Sequence, residues 1–544
     1  MLALTLVASC GLVAETLKTG GEQKLTKAAP PPKKEGPHVI VFALDGTTPA
    51  QLMEAVGGGH APNLSGLLGP YQGGGVFEHA YAAPHAMSML PSSTIADWSA
   101  IFTGTAPADN GVPGDEWFER ANNRFLAPVP VSVDDITDNT KTVVDDLVGH
   151  ELRVGTLYER MQVRSYVSLM SVHRGATYYT TVSPGSFGDM ITQLIKGSLL
   201  YGAGPEKSLS GAIDRDSADK VVQTIEQHGI PDLQVVYFPG IDIYTHEANP
   251  PLEKQTHYLE RVTDPAIGRI LDEYRKKGVL EGTYVIIIAD HAQIPTLDDE
   301  RHELGTGDNS PFTAVKRAGF RVRKPLLALA DLDKDYQAVL AYQGFMAYVY
   351  LADRSTCRRE HQRCDWTKPP RFEEDVIPVL NSFYRSNRWG RPVPKLKGTI
   401  DLIFARQPVR AGGKTLPYEI FDGHHLVAVD DYLIDHPRPD LIDLAERMEW
   451  LSAGPYGDRA GDILLLTKAC SNLPIQRRYY FAGITHYTWH GSACEQDSHI
   501  PFILAQVGGS GQRMKSIMQR FGGDSPYERE LTPLVESLFK NAEQ

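Results

Sequence analysis

The sequence has little of what would place it in several large functional classes. No stretch reaches the roughly 18 to 20 consecutive apolar residues of a membrane-spanning helix, so no span is expected in the mature chain. Basic residues are outnumbered, 54 Lys and Arg against 67 Asp and Glu, for a formal net charge of -13. That balance disfavours a nucleic-acid scaffold role, because sequence-independent binding rests on neutralising phosphates. Cysteine is scarce, five in 544 residues, and no Cys-x-x-Cys spacing occurs, which argues against a thiolate zinc cluster. Neither Gly57 to Gly59 nor Gly73 to Gly75 follows a strand in the GxGxxG pattern, so both read as loops rather than nucleotide-binding fingerprints. Internal repeats and low-complexity arrays are absent too.

What is present is an ordinary globular composition, 42% hydrophobic and 22% charged, long enough for several domains or one large α/β domain with insertions. Met1 to Val13 is apolar and reads as a signal peptide, and Val7-Ala8-Ser9-Cys10 resembles a bacterial lipobox, which makes Cys10 a candidate lipid anchor. Residues 14–37, with Lys27-Ala28-Ala29-Pro30-Pro31-Pro32-Lys33-Lys34, read as a flexible tether. The expected location is therefore outside the cytoplasm, as a periplasmic protein, an outer-membrane lipoprotein or a secreted one. The remaining cysteines form an even set, which suits disulfides in an oxidising compartment. Cys357 and Cys364 are seven residues apart and easily bridged, which leaves Cys470 with Cys494.

Short apolar, β-rich runs recur between helical stretches: His38 to Leu44, Tyr166 to Val172, Leu233 to Phe238, Tyr284 to Ala289, Ile463 to Leu466 and Pro501 to Gln506. Runs of this kind read as strands buried on both faces, the habit of parallel sheets. Glu253 to Lys277 carries helical spacing and ends near Gly278. The fold class is α/β. A catalytic unit is expected over 38–292 and 473–544, interrupted by an insertion or cap over 293–472, whose texture is rich in Arg, Pro and aromatics. His424 and His425 within it read as loop surface.

Open α/β sheets build their sites at the carboxyl ends of strands, and metal-competent residues stand there. Asp45 follows the run ending at Leu44. Asp242 and His246 follow Phe238 and are four apart, so one helical turn brings them to one face. Asp290 and His291 directly follow Ala289. Each alone has a bland explanation as a cap or turn residue; the combination is harder to dismiss. Mixed carboxylate and imidazole ligands favour zinc or a similar first-row ion over calcium or magnesium.

These motifs resemble the alkaline phosphatase superfamily, within it the type I phosphodiesterase/nucleotide pyrophosphatase family and its bacterial alkaline phosphatase relatives. Pro91-Ser92-Ser93-Thr94-Ile95-Ala96-Asp97-Trp98, then Thr103-Gly104-Thr105-Ala106-Pro107 and Gly111-Val112-Pro113-Gly114, look like that family's nucleophile segment, with Thr94 in the nucleophile position. Trp489-His490-Gly491-Ser492 looks like its last ligand motif, with His486 as a nearby competitor to His490. The resemblance implies a three-layer α/β/α sandwich with a mostly parallel central sheet. It also implies two Zn²⁺ or other divalent first-row ions, one held by Asp242, His246 and His490, the other by Asp45, Asp290, His291 and the Thr94 oxygen. Turnover would pass through a covalent phospho-threonine.

Two positions depart from the family pattern. Asp115 stands where an Asn amide usually donates to a phosphate oxygen, and an ionised Asp cannot donate. Arg174 keeps a position that bacterial monoesterase relatives use for phosphate, but Val172 stands where they carry a Lys. Asp115 and Arg174 are thus candidate substrate contacts, for a small phosphoester. A diesterase or nucleotide pyrophosphatase is the leading expectation, a phosphomonoesterase its near rival, and a catalytically silent binding protein of the same fold the alternative from another class. Sulfatase chemistry is disfavoured, since the Cys/Ser-x-Pro-x-Arg motif is missing from the nucleophile segment.

Overall fold

The computed structural model describes residues 36–132, 142, 146–181, 204–307, 310–323, 334–409 and 412–540, with a short strand at Glu22–Lys24. The expected signal segment, Cys10 and most of the tether lie outside the described residues. Nine strands frame the architecture: β1 (Val39–Leu44), β2 (Ser165–Ser168), β3 (Leu233–Phe238), β4 (Tyr284–Ile288), β5 (Ala338–Gln343), β6 (Met346–Leu351), β7 (Ile400–Ala405), β8 (Ile463–Thr467) and β9 (Phe502–Gln506).

In the larger, ten-stranded sheet β3 pairs in parallel with both β1 and β2, and β4 pairs in parallel with β1. The apolar runs are long because both faces are covered. Along β1, Val39, Val41 and Ala43 enter one core while Ile40, Phe42 and Leu44 enter another on the opposite face. Helices close both faces: Trp98, Ile101 and Phe102 pack into the first core, Ile267, Ile270 and Tyr274 into the second.

Direction is where the sequence reading needs correction. β9, expected from Pro501 to Gln506, lies in this sheet but antiparallel to β4. Ile463 to Leu466 is a strand, yet β8 belongs to a separate six-stranded sheet in which it runs antiparallel to β6 and β7. An unbroken apolar run reports burial on two faces, which a covered antiparallel sheet provides equally well. Tyr166 to Val172 yields a strand only to Ser168, because Leu169 takes a positive φ of 62° and turns the chain. The expected helix at Glu253 to Lys277 is continuous from Pro251 to Lys276, with a π-turn at Leu259–Thr263 just before Pro265. That turn accommodates a proline whose nitrogen has no hydrogen to donate.

Both disulfides form as the spacing suggests, Cys357 with Cys364 and Cys470 with Cys494. The second ties the chain just past β8 to the loop following His490, across 24 residues. Replacing both Cys470 and Cys494 by Ser should cost about 3 kcal/mol through the released loop entropy. A denaturant midpoint unchanged from the parent would contradict this.

Candidate metal and nucleophile site

Each site residue sits where a buried strand or a helix end places it. Asp45 leaves β1, and Gly46 beside it has a φ of +60°; a Cβ there would meet Asp242 Oδ1 at 2.5 Å. Only glycine lets the two strand-end loops come this close. Asp242 and His246 lie on helix Gly240–Glu247, one turn apart, with Asp242 Oδ2 at 3.3 Å from His246 Nε2. Asp290 and His291 follow β4, and His490 follows the short strand Thr488–Trp489. Thr94 opens helix α1 (Thr94–Thr103), after Ser93 in extended conformation.

The three imidazoles are held alike. His246 Nδ1 lies 2.7 Å from the Thr488 carbonyl, His490 Nδ1 3.0 Å from that of Ser92, and His291 Nδ1 3.2 Å from that of Ala292. A carbonyl can only accept, so each Nδ1 carries the proton and each Nε2 presents a lone pair. The His291 and His490 rings stack at a centroid distance of 3.6 Å.

Around His291 Nε2 these lone pairs crowd together. Asp45 Oδ1 and Asp290 Oδ2 each lie 3.5 Å from it, and Thr94 Oγ1 lies 3.2 Å away. Neither carboxylate oxygen has a hydrogen-bond donor, and both are buried. Ligand atoms converge in two groups, Asp45, Asp290 and His291, and Asp242, His291 and His490. His246 joins the second through Asp242.

The electrostatics agree. Burial, then the charges of Asp290 and Asp242, push the Asp45 carboxyl well above its ordinary range. Burial, with Asp242 adding, pushes Asp290 up to about 8. Burial drives His291 down to about 3 and His490 well below its usual value. At His246 burial is outweighed by the Asp242 charge, and the net shift is upward. Neutral His291 and His490, beside the donor-less oxygens of Asp45 and Asp290, leave this cluster short of positive charge, so these residues fit divalent cations.

Asp115 lies next to Thr94: its Oδ1 accepts from the backbone N–H of Ile95 at 2.9 Å, while Oδ2 is buried without a partner. Burial raises its carboxyl to about 7. Arg174 is not brought into this cluster as a free cation. Its Nε and Nη2 bond Glu159, and its Nη atoms bond the carbonyls of Gly149, Leu152 and Val154. All five guanidinium donors are engaged by protein groups. His486 pairs with Glu247 at 3.0 Å and its ring lies 5.0 Å from that of His246, so it flanks the site.

Sequence reasoning missed the groups that orient the carboxylates. The Tyr237 hydroxyl, at the end of β3, donates to Asp45 Oδ2, and the Gln293 amide donates to Asp242 Oδ1. A phenol near the end of the buried strand β3, in register with Ala43 two residues before Asp45, was the available signal.

The sequence model of the type I phosphodiesterase/nucleotide pyrophosphatase family matches residues 39–350, more than half of the chain. The chain belongs to this family. Within the type I phosphodiesterase/nucleotide pyrophosphatase family, a protein of Schizosaccharomyces pombe described as an uncharacterised pyrophosphatase/phosphodiesterase is 24% identical over 307 residues, 55% of this chain and 53% of that protein. The chain thus spans about half the length of that curated relative. Mouse ectonucleotide pyrophosphatase/phosphodiesterase 5 superposes with a TM-score of 0.52 at 10% identity, covering 92% of this chain and 95% of that one. An inactive variant of the same mouse protein, in complex with AMP, superposes with a TM-score of 0.51 at 11% identity, over 93% and 95%. The likeness places this type I phosphodiesterase family member in the alkaline-phosphatase-like α/β fold, with its large, mostly parallel central sheet.

Asp290→Asn keeps an oxygen acceptor for the N–H groups of Gly46 and His291 and removes one of the crowded carboxylates. Metal-free Asp290→Asn protein should therefore be more stable than metal-free parent, by about 1 kcal/mol, while losing most of its metal affinity. A lower melting temperature than the metal-free parent would contradict this.

Proposed function

We propose that this chain is an exported, metal-dependent phosphoester hydrolase of the phosphodiesterase/nucleotide pyrophosphatase type, with Thr94 as nucleophile. The observation that carries the reading is the 3.2 Å approach of Thr94 Oγ1 to Nε2 of His291, a residue shared by both convergent ligand groups. Asp45, Asp290 and His291, with the Thr94 oxygen, would hold one zinc or other divalent first-row ion; Asp242, His246 and His490 would hold a second. Bound there, such ions supply Lewis-acid charge that favours an ionised hydroxyl and a departing oxyanion.

The chain's own groups do the rest. Thr94 Oγ1 gives up its proton to solvent and forms a bond to phosphorus as the bond to the ester oxygen breaks, and the leaving oxygen takes a proton from solvent. Water then cleaves phospho-Thr94 and restores the hydroxyl. Placement of Thr94 at the first position of a ten-residue helix puts the positive end of the helix dipole under the transferring phosphoryl group. Asp115, when neutral, donates from Oδ2 to a phosphate oxygen as an amide would.

Substrates are read as small phosphodiesters or nucleotide pyrophosphates. The engaged donors of Arg174 support this over a monoesterase, which gains from a cation on the extra negative charge of a terminal phosphate. The AMP complex of the mouse relative's inactive variant supports a nucleotide-sized ligand. Export is supported by the two disulfides, and no helix among the described residues is long and apolar enough to cross a membrane. A periplasmic or lipoprotein form anchored through Cys10 belongs to the same reading, as does a framing role for residues 293–472 between the catalytic parts 38–292 and 473–544.

Thr94→Ala should lower turnover of a nitrophenyl nucleotide diester by at least about 1,000-fold, with the melting temperature of the metal-free protein unchanged; retained turnover would overturn the assignment. Asp115→Asn should keep activity within about tenfold of the parent, whereas Asp115→Ala should lose about 100-fold, as for one lost oxyanion donor. Equal losses in the two variants would exclude the donor role. Arg174→Ala should lower stability and leave the ratio of monoester to diester hydrolysis unchanged; selective loss of monoester turnover would restore the phosphomonoesterase reading.

A further inference from the structure

Helix α2 (Leu444–Ser452) lies outside the residues that the family model matches, yet it sends one side chain deep into the molecule. Arg447 is fully buried. Its Nη2 donates to the Met89 carbonyl at 2.7 Å, Ser92 Oγ at 3.2 Å and Ser88 Oγ at 3.3 Å. Its Nη1 donates to Ser498 Oγ at 2.9 Å and the Ile442 carbonyl at 3.3 Å. The contacts are thus concentrated on the loop that leads into Thr94. Ser93, at the helix cap, makes no side-chain capping bond.

Ser92 connects this grip to the metal face. Its hydroxyl accepts from Arg447 and donates to the Ser492 carbonyl at 2.9 Å, two residues past His490. Its own carbonyl takes the His490 Nδ1 proton at 3.0 Å. Ser492 is held in turn by Asp497, through its backbone N–H and its hydroxyl, each at 2.7 Å. One serine therefore receives the guanidinium with its side chain and sets an imidazole with its main chain, two residues before the nucleophile.

We propose that Arg447 is a positioning residue for this reaction: through Ser92 it fixes both the approach of Thr94 and the orientation in which His490 presents Nε2. The inference rests on the function proposed above. A planar fork is required, because the Ser88, Met89 and Ser92 acceptors lie on one side of the guanidinium and those of Ile442 and Ser498 on the other; an ammonium reaches one set only. A purely structural role would instead anchor α2, and its loss would lower stability without altering the site.

The test uses the full chain with Arg447→Lys, Ser92→Ala and the double variant, and Glu449→Gln on the exposed side of the same helix as control. Two readouts are taken: kcat and KM on a nitrophenyl nucleotide diester, and visible-absorption titration of metal-free protein with Co²⁺ alone. The expected result is a kcat reduced about 10- to 100-fold with KM within threefold, and Co²⁺ affinity lowered about 10-fold, as for a lost orienting partner. The double variant should be no worse than the poorer single one, since both interrupt one chain of contacts. Unchanged kcat and Co²⁺ affinity in either single variant, or losses that multiply in the double, would overturn the proposal. Should Arg447→Lys not fold, Ser92→Ala decides by the same two readouts. If the parent protein shows no turnover of the diester, the hydrolase reading fails by itself, and the Co²⁺ titration still tests the link from Arg447 to His490.

Discussion

Three hydrogen bonds of one kind organise this molecule: imidazole Nδ1 to backbone carbonyl, at His246, His291 and His490. Each directs Nδ1 to a carbonyl, and His291 Nε2 is thereby turned toward the buried, donor-less oxygens of Asp45 and Asp290. Crowding lone pairs in a dry interior is unfavourable unless a cation joins them. The surrounding fold is therefore arranged around a local deficit of positive charge, and the large two-faced core holds that deficit in place.

The two sheets share the task. Asp45, Asp242, Asp290 and His291 come from strand ends and a following helix of the larger sheet. The smaller sheet is not a detached cover. Gln343, at the end of β5, accepts from the Asp115 N–H at 2.7 Å and donates to the Glu116 carbonyl. Gly491 lies so near the Gln343 carbonyl that a Cβ would overlap it at 1.7 Å. The Phe345 N–H donates to the His490 carbonyl at 3.0 Å. The β5–β6 turn is thus wedged between Asp115 and His490, and Arg447 reaches the same junction from another direction.

Much of this was legible in the sequence, for identifiable reasons. Strands covered on both faces announce themselves as apolar runs, and a polar residue at the end of such a run has few roles outside a cap or a site, which is how Asp45, Asp242 and Asp290 stood out. Spacing of four predicted that Asp242 and His246 would share a helix face. Strand direction was hidden, because burial patterns for β8 and β9 do not encode it. So were Tyr237, Gln293, Gln343 and Arg447, whose partners lie far away in sequence; Arg447 and Ser92 are separated by 355 residues. The partners of Arg174 were hidden for the same reason, since no local pattern reveals the carbonyls of Gly149, Leu152 and Val154 that accept from it.

The most direct test of the central claim is equilibrium dialysis of metal-free protein against Zn²⁺, followed by metal analysis, in the parent and in His291→Ala. The account predicts two tightly held ions per chain in the parent and loss of both, or of one with severe weakening of the other, in the variant, because His291 belongs to both ligand groups. A parent chain that retains no ion, or a variant that binds as well as the parent, would contradict it.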